Sequence, residues 1–216
     1  MKSAQAKQWL NACQTEIDSL RENKVWKLVK QPEGSTLVKG KWVFKIKLNK
    51  NGDIARYKAR WVARGFTQLA GIDYDETYAA VAKPVSIRTL IAIIAQYNLE
   101  CKQYDIITAF LNALIDDRMI YVEQPHGFEV NNNNNGNNDS SQINVCLLLQ
   151  ALYGLKQSPL LWYEEFTKFL KGLGFAALHS DACVFQHVYT QAIIVIYVDD
   201  LILMALSIAT INDIAE

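Results

Sequence analysis

The segment from Ala192 to Ala209 constrains the fold most, because it is almost entirely apolar apart from Asp199 and Asp200 near its centre. It is long enough to be considered as a membrane span, but each aspartate at a bilayer centre costs about 2.5–3.5 kcal/mol on insertion scales. We therefore reject a membrane helix and interpret the segment as two β-strands joined at the aspartates. Strands this apolar require a core, and half of the 216 residues are hydrophobic.

The charged residues are sorted along the chain, although their sum is zero. Residues 1–66 carry 15 Lys and Arg against five Asp and Glu, whereas residues 67–216 carry 7 against 17. This asymmetry predicts a basic surface for an anionic partner and an acidic cluster elsewhere.

The basic part contains an alternating segment over residues 41–64. Apolar side chains alternate with basic ones on both sides of Asn51-Gly52, a dipeptide typical of hairpin turns. The segment predicts a hairpin with one apolar face and one basic face. The basic face comprises Lys41, Lys45, Lys47, Arg56, Lys58, Arg60 and Arg64. A solvated strand face is the ordinary interpretation, but the mutual repulsion of seven cations favours a surface that binds phosphates.

The remaining patterns predict helices and strands of ordinary length. Helical spacing and cap residues predict helices over 4–22, from Ser86 to about residue 97, from Ser158 to about residue 171, and after Ser207. Strands are expected at 101–107, 119–124 and in three apolar segments between residues 182 and 205. We expect residues 131–142, which are rich in Asn, to be a disordered surface insertion.

The cysteines and the N-terminus bear on the compartment. Cys13, Cys101, Cys146 and Cys183 lack the spacing of a metal site, so we interpret them as buried free thiols in a reducing compartment. The N-terminus has no apolar run typical of a signal peptide. We therefore expect an intracellular protein rather than a secreted one.

Three aspartates lie at the ends of apolar strands. Alone, Asp105 is an ordinary cap of a helical turn, and Asp199-Asp200 is an ordinary solvated turn. Together they predict a three-carboxylate site, because carboxylate oxygens suit Mg²⁺ and two such ions serve in-line phosphoryl transfer. A metal-dependent nuclease would use the same acids, but it would not explain the basic hairpin.

Three motifs that follow one another in order carry a family resemblance: KARWVARGFTQ (58–68), LYGLKQSP (152–159) and YVDD (197–200). With further matches over nearly the whole chain, the sequence resembles the reverse transcriptase of copia-type long-terminal-repeat retrotransposons. The resemblance implies an α+β fold that corresponds to the fingers and palm of a right-hand polymerase, with a ferredoxin-like antiparallel palm sheet, packed helices and no thumb. It assigns residues 1–90 mainly to the fingers, 91–130 to the palm with its first aspartate, and 143–216 to the template-contacting segment and the catalytic hairpin.

The resemblance also implies the site residues. Asp105, Asp199 and Asp200 match the catalytic ligands of two Mg²⁺ ions, which Mn²⁺ can replace, and the backbone of Ile106 is a further ligand. The expected nucleotide contacts are Lys58, Arg60, Phe110, Tyr153 and Lys156, of which Phe110 and Tyr153 are equally well interpreted as core residues. The expected nucleic-acid contacts are Lys41, Lys45, Lys47, Arg56, Arg64, Gly154, Gln157, Ser158 and Pro159.

The implied function is RNA- and DNA-directed DNA synthesis, in which a primer 3′-hydroxyl attacks a dNTP. The expected partners are an RNA or DNA template with its primer, dNTP, and the thumb and ribonuclease H of a Pol polyprotein, with no membrane. The expected location is the cytoplasm, including virus-like particles, or the nucleus. The alternative is an inactive, truncated remnant that still binds nucleic acid, because Leu160 stands where the family usually has arginine and the Asn-rich insertion interrupts the chain.

Overall fold

A computed structural model of the chain describes residues 5–115, 118–130 and 144–216. It confirms the α+β class and divides the chain into two compact units. Unit 1 comprises Met1–Thr77 and Phe110–Ser158, and unit 2 comprises Tyr78–Ala109 and Pro159–Glu216. The division of the sequence at residues 90, 130 and 142 stays a prediction, and the Asn-rich insertion lies outside the described residues.

The described residues form four α-helices and eleven strands. The helices are α1 (Ala6–Glu22), α2 (Pro84–Tyr97), α3 (Ser158–Gly172) and α4 (Ile208–Ala215). The strands are β1 (Trp26–Lys30), β2 (Leu37–Val38), β3 (Gly40–Leu48), β4 (Ile54–Ala63), β5 (Glu100–Asp105), β6 (Tyr121–Val122), β7 (Asn144–Leu148), β8 (Phe175–Leu178), β9 (Asp181–His187), β10 (Ile193–Tyr197) and β11 (Asp200–Ala205).

The alternating segment of unit 1 forms the expected hairpin of β3 and β4. The register pairs Trp42 with Trp61 on the apolar face and Lys45 with Lys58 on the basic face, so the predicted alternation is confirmed. Helix α1 packs against the apolar face, where Trp9 contacts Phe44 and Tyr57 edge-on at 5.1 and 4.6 Å between ring centroids. The apolar side chains that could not be buried within a two-stranded sheet are thereby partly covered by a helix.

A four-stranded sheet of order β1-β7-β6-β2 completes unit 1. Strands β2 and β6 run parallel, and the other two pairs are antiparallel. The sheet packs on α1 and the hairpin through a buried cluster that includes Ile17, Val122 and Leu148. Only β6 was predicted from the sequence, over a longer range than the two residues that pair.

Unit 2 is built on an antiparallel sheet of order β5-β11-β10-β9-β8. Helix α2 contributes Leu90 to a core that also contains Val184, Val195 and Met204. The strands on both sides of the two aspartates are confirmed as β10 and β11, whereas β8 was not predicted. This sheet agrees with the antiparallel palm sheet that the resemblance implied.

Two of the predicted helix caps can be compared directly with the structure. Ser207 caps α4 as expected, since its hydroxyl accepts a hydrogen bond from the backbone N–H of Thr210 at 3.2 Å. The prediction that Ser86 caps α2 is wrong, because Pro84 already occupies the first turn and Lys83 is the extended residue before it. Proline suits the first helical position, where no backbone N–H is needed.

The structure also tests the expectations about cysteines and membranes. Cys13, Cys146 and Cys183 are buried free thiols as expected, but Cys101 is exposed because it lies on β5, an edge strand of its sheet. Among the residues that the structure describes, no helix is long and apolar enough to cross a membrane.

Candidate active site

The three predicted aspartates meet at one end of the unit 2 sheet. Strand β5 ends at Asp105, which is directly opposite Asp200, the first residue of β11. Directly opposed residues of an antiparallel pair have side chains on the same face, with Cβ atoms about 4.5–5.5 Å apart. Asp199 lies in the loop immediately before Asp200, so acids about ninety residues apart in the sequence lie at the same end of the sheet.

The loop that carries Asp199 has only two residues, because Tyr197 pairs with Asp200 across it. The first of them, Val198, has φ +60°, which is uncommon for a β-branched residue. Two-residue hairpin loops favour turns that need a positive φ at this position. The acidic turn therefore begins one residue earlier than the sequence suggested.

Contacts from two other elements hold this loop. The backbone N–H of Ile106 donates to the carbonyl of Asp199 at 2.9 Å, and the indole N–H of Trp162 on α3 donates to the carbonyl of Val198 at 3.0 Å. The side-chain amide of Gln103 donates to Oδ1 of Asp200 at 3.2 Å. The N–H of Ile106, whose backbone was a predicted metal ligand, is thus used in holding the loop.

The acidic cluster is not a closed metal cage. Within residues 5–115, 118–130 and 144–216, no three His, Cys, Asp or Glu side chains form a group that could hold a metal ion. Asp105 and Asp200 are nevertheless exposed and face each other. Such a pair fits Mg²⁺, which is usually bound by one or two carboxylates and keeps water and substrate phosphates as its other ligands.

Three of the predicted nucleotide contacts form one cluster in unit 1. The guanidinium carbon of Arg60 lies 4.6 Å from the ring centroid of Tyr153, and the Tyr153 and Phe110 rings are 5.0 Å apart. All three side chains are half-buried. Phe110 and Tyr153 are therefore partly exposed, and their contact with a nucleotide stays a prediction.

Lys58 shares the basic face with Arg60 and is also half-buried. Burial lowers its pKa, and the nearby cations of Arg60, Arg56 and Lys47 lower it further. Glu16 of α1 accepts a hydrogen bond from the backbone N–H of Trp61 at 3.1 Å and opposes this shift. The cations on this face repel one another, and an anionic ligand would relieve that repulsion.

The remaining predicted basic contacts differ in their surroundings. Lys41, Lys45, Lys47 and Arg56 are exposed on the hairpin, whereas Arg64 lies just beyond β4 and is half-buried. The ammonium of Lys156 donates a hydrogen bond to the hydroxyl oxygen of Tyr74 at 2.7 Å and lies 4.6 Å from the centroid of that ring. Lys156 is therefore held in a fixed place, although it stays exposed.

The segment that precedes α3 is bound tightly within unit 1. Gln157 is buried, and its amide accepts from Gln68 at 3.1 Å and donates to the carbonyl of Asp73 at 2.9 Å. Ser158 is fully buried and donates to the carbonyl of Leu152 at 2.7 Å. The side chains of Gln157 and Ser158 thus position the segment, and their contact with nucleic acid stays a prediction. Pro159, at the start of α3, is half-buried.

Gly154 has a structural reason to be glycine. Its φ is +90°, and a Cβ there would collide with the carbonyl oxygen of Ala63. Two backbone hydrogen bonds form at this close approach. The N–H of Ala63 donates to the carbonyl of Tyr153 at 2.8 Å, and the N–H of Gly65 donates to the carbonyl of Gly154 at 3.0 Å. The LYGLKQSP segment is thereby fastened to the end of β4.

Sequence reasoning missed two residues beside the aspartates, Gln103 and Trp162. Gln103 is two residues before Asp105 on β5, so the alternation of a strand already put both on one face. Trp162 gave no such signal, because a tryptophan on an amphipathic helix is expected in the core.

Comparison with known proteins decides the family. A family profile described as "Reverse transcriptase (RNA-dependent DNA polymerase)" matches residues 23–216. The chain belongs to this reverse transcriptase family. The Retrovirus-related Pol polyprotein from transposon TNT 1-94 of Nicotiana tabacum is 40% identical over 200 residues, which are 91% of this chain and 14% of that protein. The polyprotein from transposon RE1 of Arabidopsis thaliana is 37% identical over 90% of this chain and 13% of its own length.

These relatives confirm the expected retrotransposon Pol context of the reverse transcriptase domain. The chain spans about one seventh of the length of the relatives named above. Among solved structures, the foamy viral protease-reverse transcriptase in complex with double-stranded DNA is similar over 95% of this chain and 27% of its own, with 15% identity and a TM-score of 0.43.

Proposed function

We propose that this reverse transcriptase domain adds dNTPs to the 3′-hydroxyl of a primer on an RNA or DNA template, with Asp105, Asp199 and Asp200 as its metal ligands. The observation that carries the proposal is the opposition of Asp105 and Asp200 beside Asp199 at one exposed sheet end. The opposed carboxylates of Asp105 and Asp200 repel each other and suit a divalent cation, and Asp199 is the neighbour of Asp200 in the chain. When bound, two Mg²⁺ or Mn²⁺ ions would lower the pKa of the hydroxyl nucleophile and neutralise charge on the transferred phosphoryl group.

The residues of the chain would then hold and orient the reactants. The primer 3′-oxygen forms a bond to the α-phosphorus of the dNTP, the bond from that phosphorus to the bridging oxygen breaks, pyrophosphate leaves and the hydroxyl proton is lost to solvent. Arg60 and Lys58 supply positive charge for the triphosphate, and Lys156 supplies a further cation. Phe110 and Tyr153 supply aromatic faces for the sugar and base.

The template and primer would be bound by the basic face of the hairpin. Its exposed cations, Lys41, Lys45, Lys47 and Arg56, suit the phosphates of a nucleic acid irrespective of sequence. Arg64, Gly154, Gln157, Ser158 and Pro159 would form or brace the neighbouring contacts. The thumb and ribonuclease H of a Pol polyprotein are proposed as further partners, on the strength of the polyprotein relatives.

The test is extension of a labelled DNA primer by one nucleotide on an RNA template, with the purified chain in excess and Mg²⁺ or Mn²⁺ present. We expect the base complementary to the template to be added, and we expect Asp199→Asn to abolish the addition while the circular dichroism spectrum stays that of the wild type. Asp213→Asn on α4 is the matched control, because Asp213 is an exposed aspartate of the same unit.

Two results would contradict the proposal. Addition that is equally fast with Asp199→Asn would show that these carboxylates are not the ligands. Salt-sensitive binding of nucleic acid without addition under either metal would favour the alternative, an inactive remnant that keeps only the binding surface.

A further inference from the structure

The turn that presents the aspartates is strained and is held from outside the hairpin. Val198 is a β-branched residue at φ +60°, a backbone conformation that such residues rarely adopt. Residues in sparsely populated conformations persist only where the surrounding structure determines them, and they cluster at functional sites. The contacts of Val198 and Asp199 therefore show which groups hold the turn.

The two peptide groups that flank Asp199 are both fixed by hydrogen bonds from other elements. The carbonyl of Val198 accepts from the indole N–H of Trp162 at 3.0 Å, and the carbonyl of Asp199 accepts from the N–H of Ile106 at 2.9 Å. When both neighbouring peptide planes are fixed, the direction of the Cα–Cβ bond between them is fixed as well. The orientation of the Asp199 side chain is therefore set at its root.

Trp162 can hold the turn because its own side chain is buried and packed. Its side chain is 5% exposed, and its ring stacks on Phe166 at 5.0 Å between centroids with an interplanar angle of 24°. The indole N–H is the only polar group of the side chain, and a buried indole needs a hydrogen-bond partner. Its partner is the carbonyl of Val198, the residue with the positive φ.

We propose that Trp162 is a positioning residue that holds the Val198–Asp199 turn, so that the carboxylates of Asp199 and Asp200 face the divalent ions in a fixed geometry. The inference rests on the proposed metal site. Trp162 would affect metal binding indirectly, because it orients the backbone that carries the ligands. Loss of a group that orients metal ligands typically lowers metal affinity about 10–100-fold.

The test compares Trp162→Phe with Trp42→Phe. Phenylalanine keeps an aromatic ring but removes the N–H donor. Trp42 is the matched control, because its indole N–H also donates to a backbone carbonyl, that of His126 at 2.9 Å, but in unit 1. The first readout is the dissociation constant of Mn²⁺, measured by electron paramagnetic resonance on the full chain. The second is the hydrogen-exchange protection of the Ile106 amide, which reports on the turn without any metal.

We expect Trp162→Phe to raise the Mn²⁺ dissociation constant about tenfold and to lower the protection of the Ile106 amide. Trp42→Phe should leave both quantities within about twofold of the wild type, since the Trp42 indole N–H donates to the carbonyl of His126 rather than to the turn. Wild-type Mn²⁺ affinity in Trp162→Phe would overturn the proposal, whatever the protection of the Ile106 amide. If Trp162→Phe does not fold, 3-benzothienylalanine in place of Trp162 keeps the ring shape, lacks the donor and decides the same two readouts.

Asp105→Asn separates this inference from the proposed function. If Asp105→Asn weakens Mn²⁺ binding and Trp162→Phe does not, the metal site stands and the role of Trp162 is wrong. If neither Asp105→Asn nor Asp199→Asn weakens Mn²⁺ binding, the proposed metal site is wrong and the role of Trp162 falls with it.

Discussion

Asp105 on β5 and Asp200 on β11 are directly opposed in the antiparallel register. Like charges in this position destabilise a sheet, by about 0.2–1 kcal/mol. We therefore predict that Asp105→Asn raises the free energy of unfolding of the chain by an amount in this range when EDTA is present. Urea unfolding monitored by circular dichroism measures the change.

Mg²⁺ should offset the destabilisation that the opposed carboxylates of Asp105 and Asp200 cause in EDTA. An ion that binds the native chain more tightly than the unfolded chain stabilises it, so Mg²⁺ should raise the urea midpoint of the wild type and not that of Asp105→Asn. Asp213→Asn, an exposed aspartate on α4, is the control and should behave like the wild type. Equal stabilisation of all three proteins by Mg²⁺ would contradict the metal site.

The basic face of the β3–β4 hairpin predicts a measurable change in salt dependence. Each phosphate contact that is lost should reduce the slope of log K against log salt concentration by about 0.9 on a duplex. The double variant with Lys45→Ala and Lys47→Ala should therefore bind an RNA–DNA duplex with a slope that is smaller by up to about 1.8. Fluorescence anisotropy titrations at several salt concentrations provide the slopes.

The control for this experiment is a double variant with Lys168→Ala and Lys171→Ala, which removes the same charge from α3 in unit 2. It should weaken binding much less and keep the slope. A slope that changes equally in both double variants would mean that net charge, rather than the hairpin face, governs binding.

Two glycines provide a test of how the LYGLKQSP segment is fastened. Gly154→Ala should destabilise the chain by more than about 1 kcal/mol, because φ at this position is +90° and the new Cβ would meet the Ala63 carbonyl. Gly172→Ala at the end of α3 meets nothing within 4 Å and should cause no loss. Thermal or urea unfolding compares the stabilities of the two variants. An equal effect would show that the LYGLKQSP segment can shift to accommodate the new Cβ.

Asp181 in unit 2 predicts a dependence of stability on pH. Burial alone would raise its pKa, but hydrogen bonds from Ser86 and from the backbone N–H groups of Lys83 and Cys183 hold the pKa below its usual range. Such a group stabilises the fold above its unfolded pKa of about 3.9 and loses that contribution as the pH falls through the lower folded value.

Asp181→Asn should therefore lower the free energy of unfolding by about 1.5–3 kcal/mol at pH 7, because hydrogen bonds to a charged acceptor are lost. The difference from the wild type should shrink below about pH 4. Glu165→Gln, an exposed site on α3, is the control and should change little at either pH. A difference that is constant from pH 7 to pH 3 would show that ionisation of Asp181 does not stabilise the fold.

The elements that the sequence predicted well carry their own periodicity. The β3–β4 hairpin alternates on both strands and has Asn51-Gly52 at its turn, so local pattern alone was sufficient. Of the sheet of β1, β2, β6 and β7 only β6 was predicted, because the strands are short and pair with residues far away in the sequence, for example Leu28 with Cys146. The residues of β1 and β7 do not by themselves indicate that these two strands pair.

The candidate site shows the same division. Asp105, Asp199 and Asp200 were found because acids stand out in apolar strands, and the register of β5 and β11 then brought them together. The buried bonds of Gln68, Asp73 and Gln157 were not foreseeable, because polar residues that satisfy one another across almost ninety positions look like surface residues in a sequence. The positive φ of Val198 was equally hidden, since a β-branched residue is not expected there.

Asp105, Asp199 and Asp200 are proposed to hold divalent ions together. Titration of the ¹⁵N-labelled chain with Mn²⁺ tests it most directly, because the ion broadens the amide resonances nearest to it. We expect the resonances of Asp105, Ile106, Asp199 and Asp200 to broaden first, and we expect Asp105→Asn to suppress this broadening. Broadening that begins at other acids, such as Asp75 and Glu76, or that persists unchanged in Asp105→Asn, would show that the ions bind elsewhere.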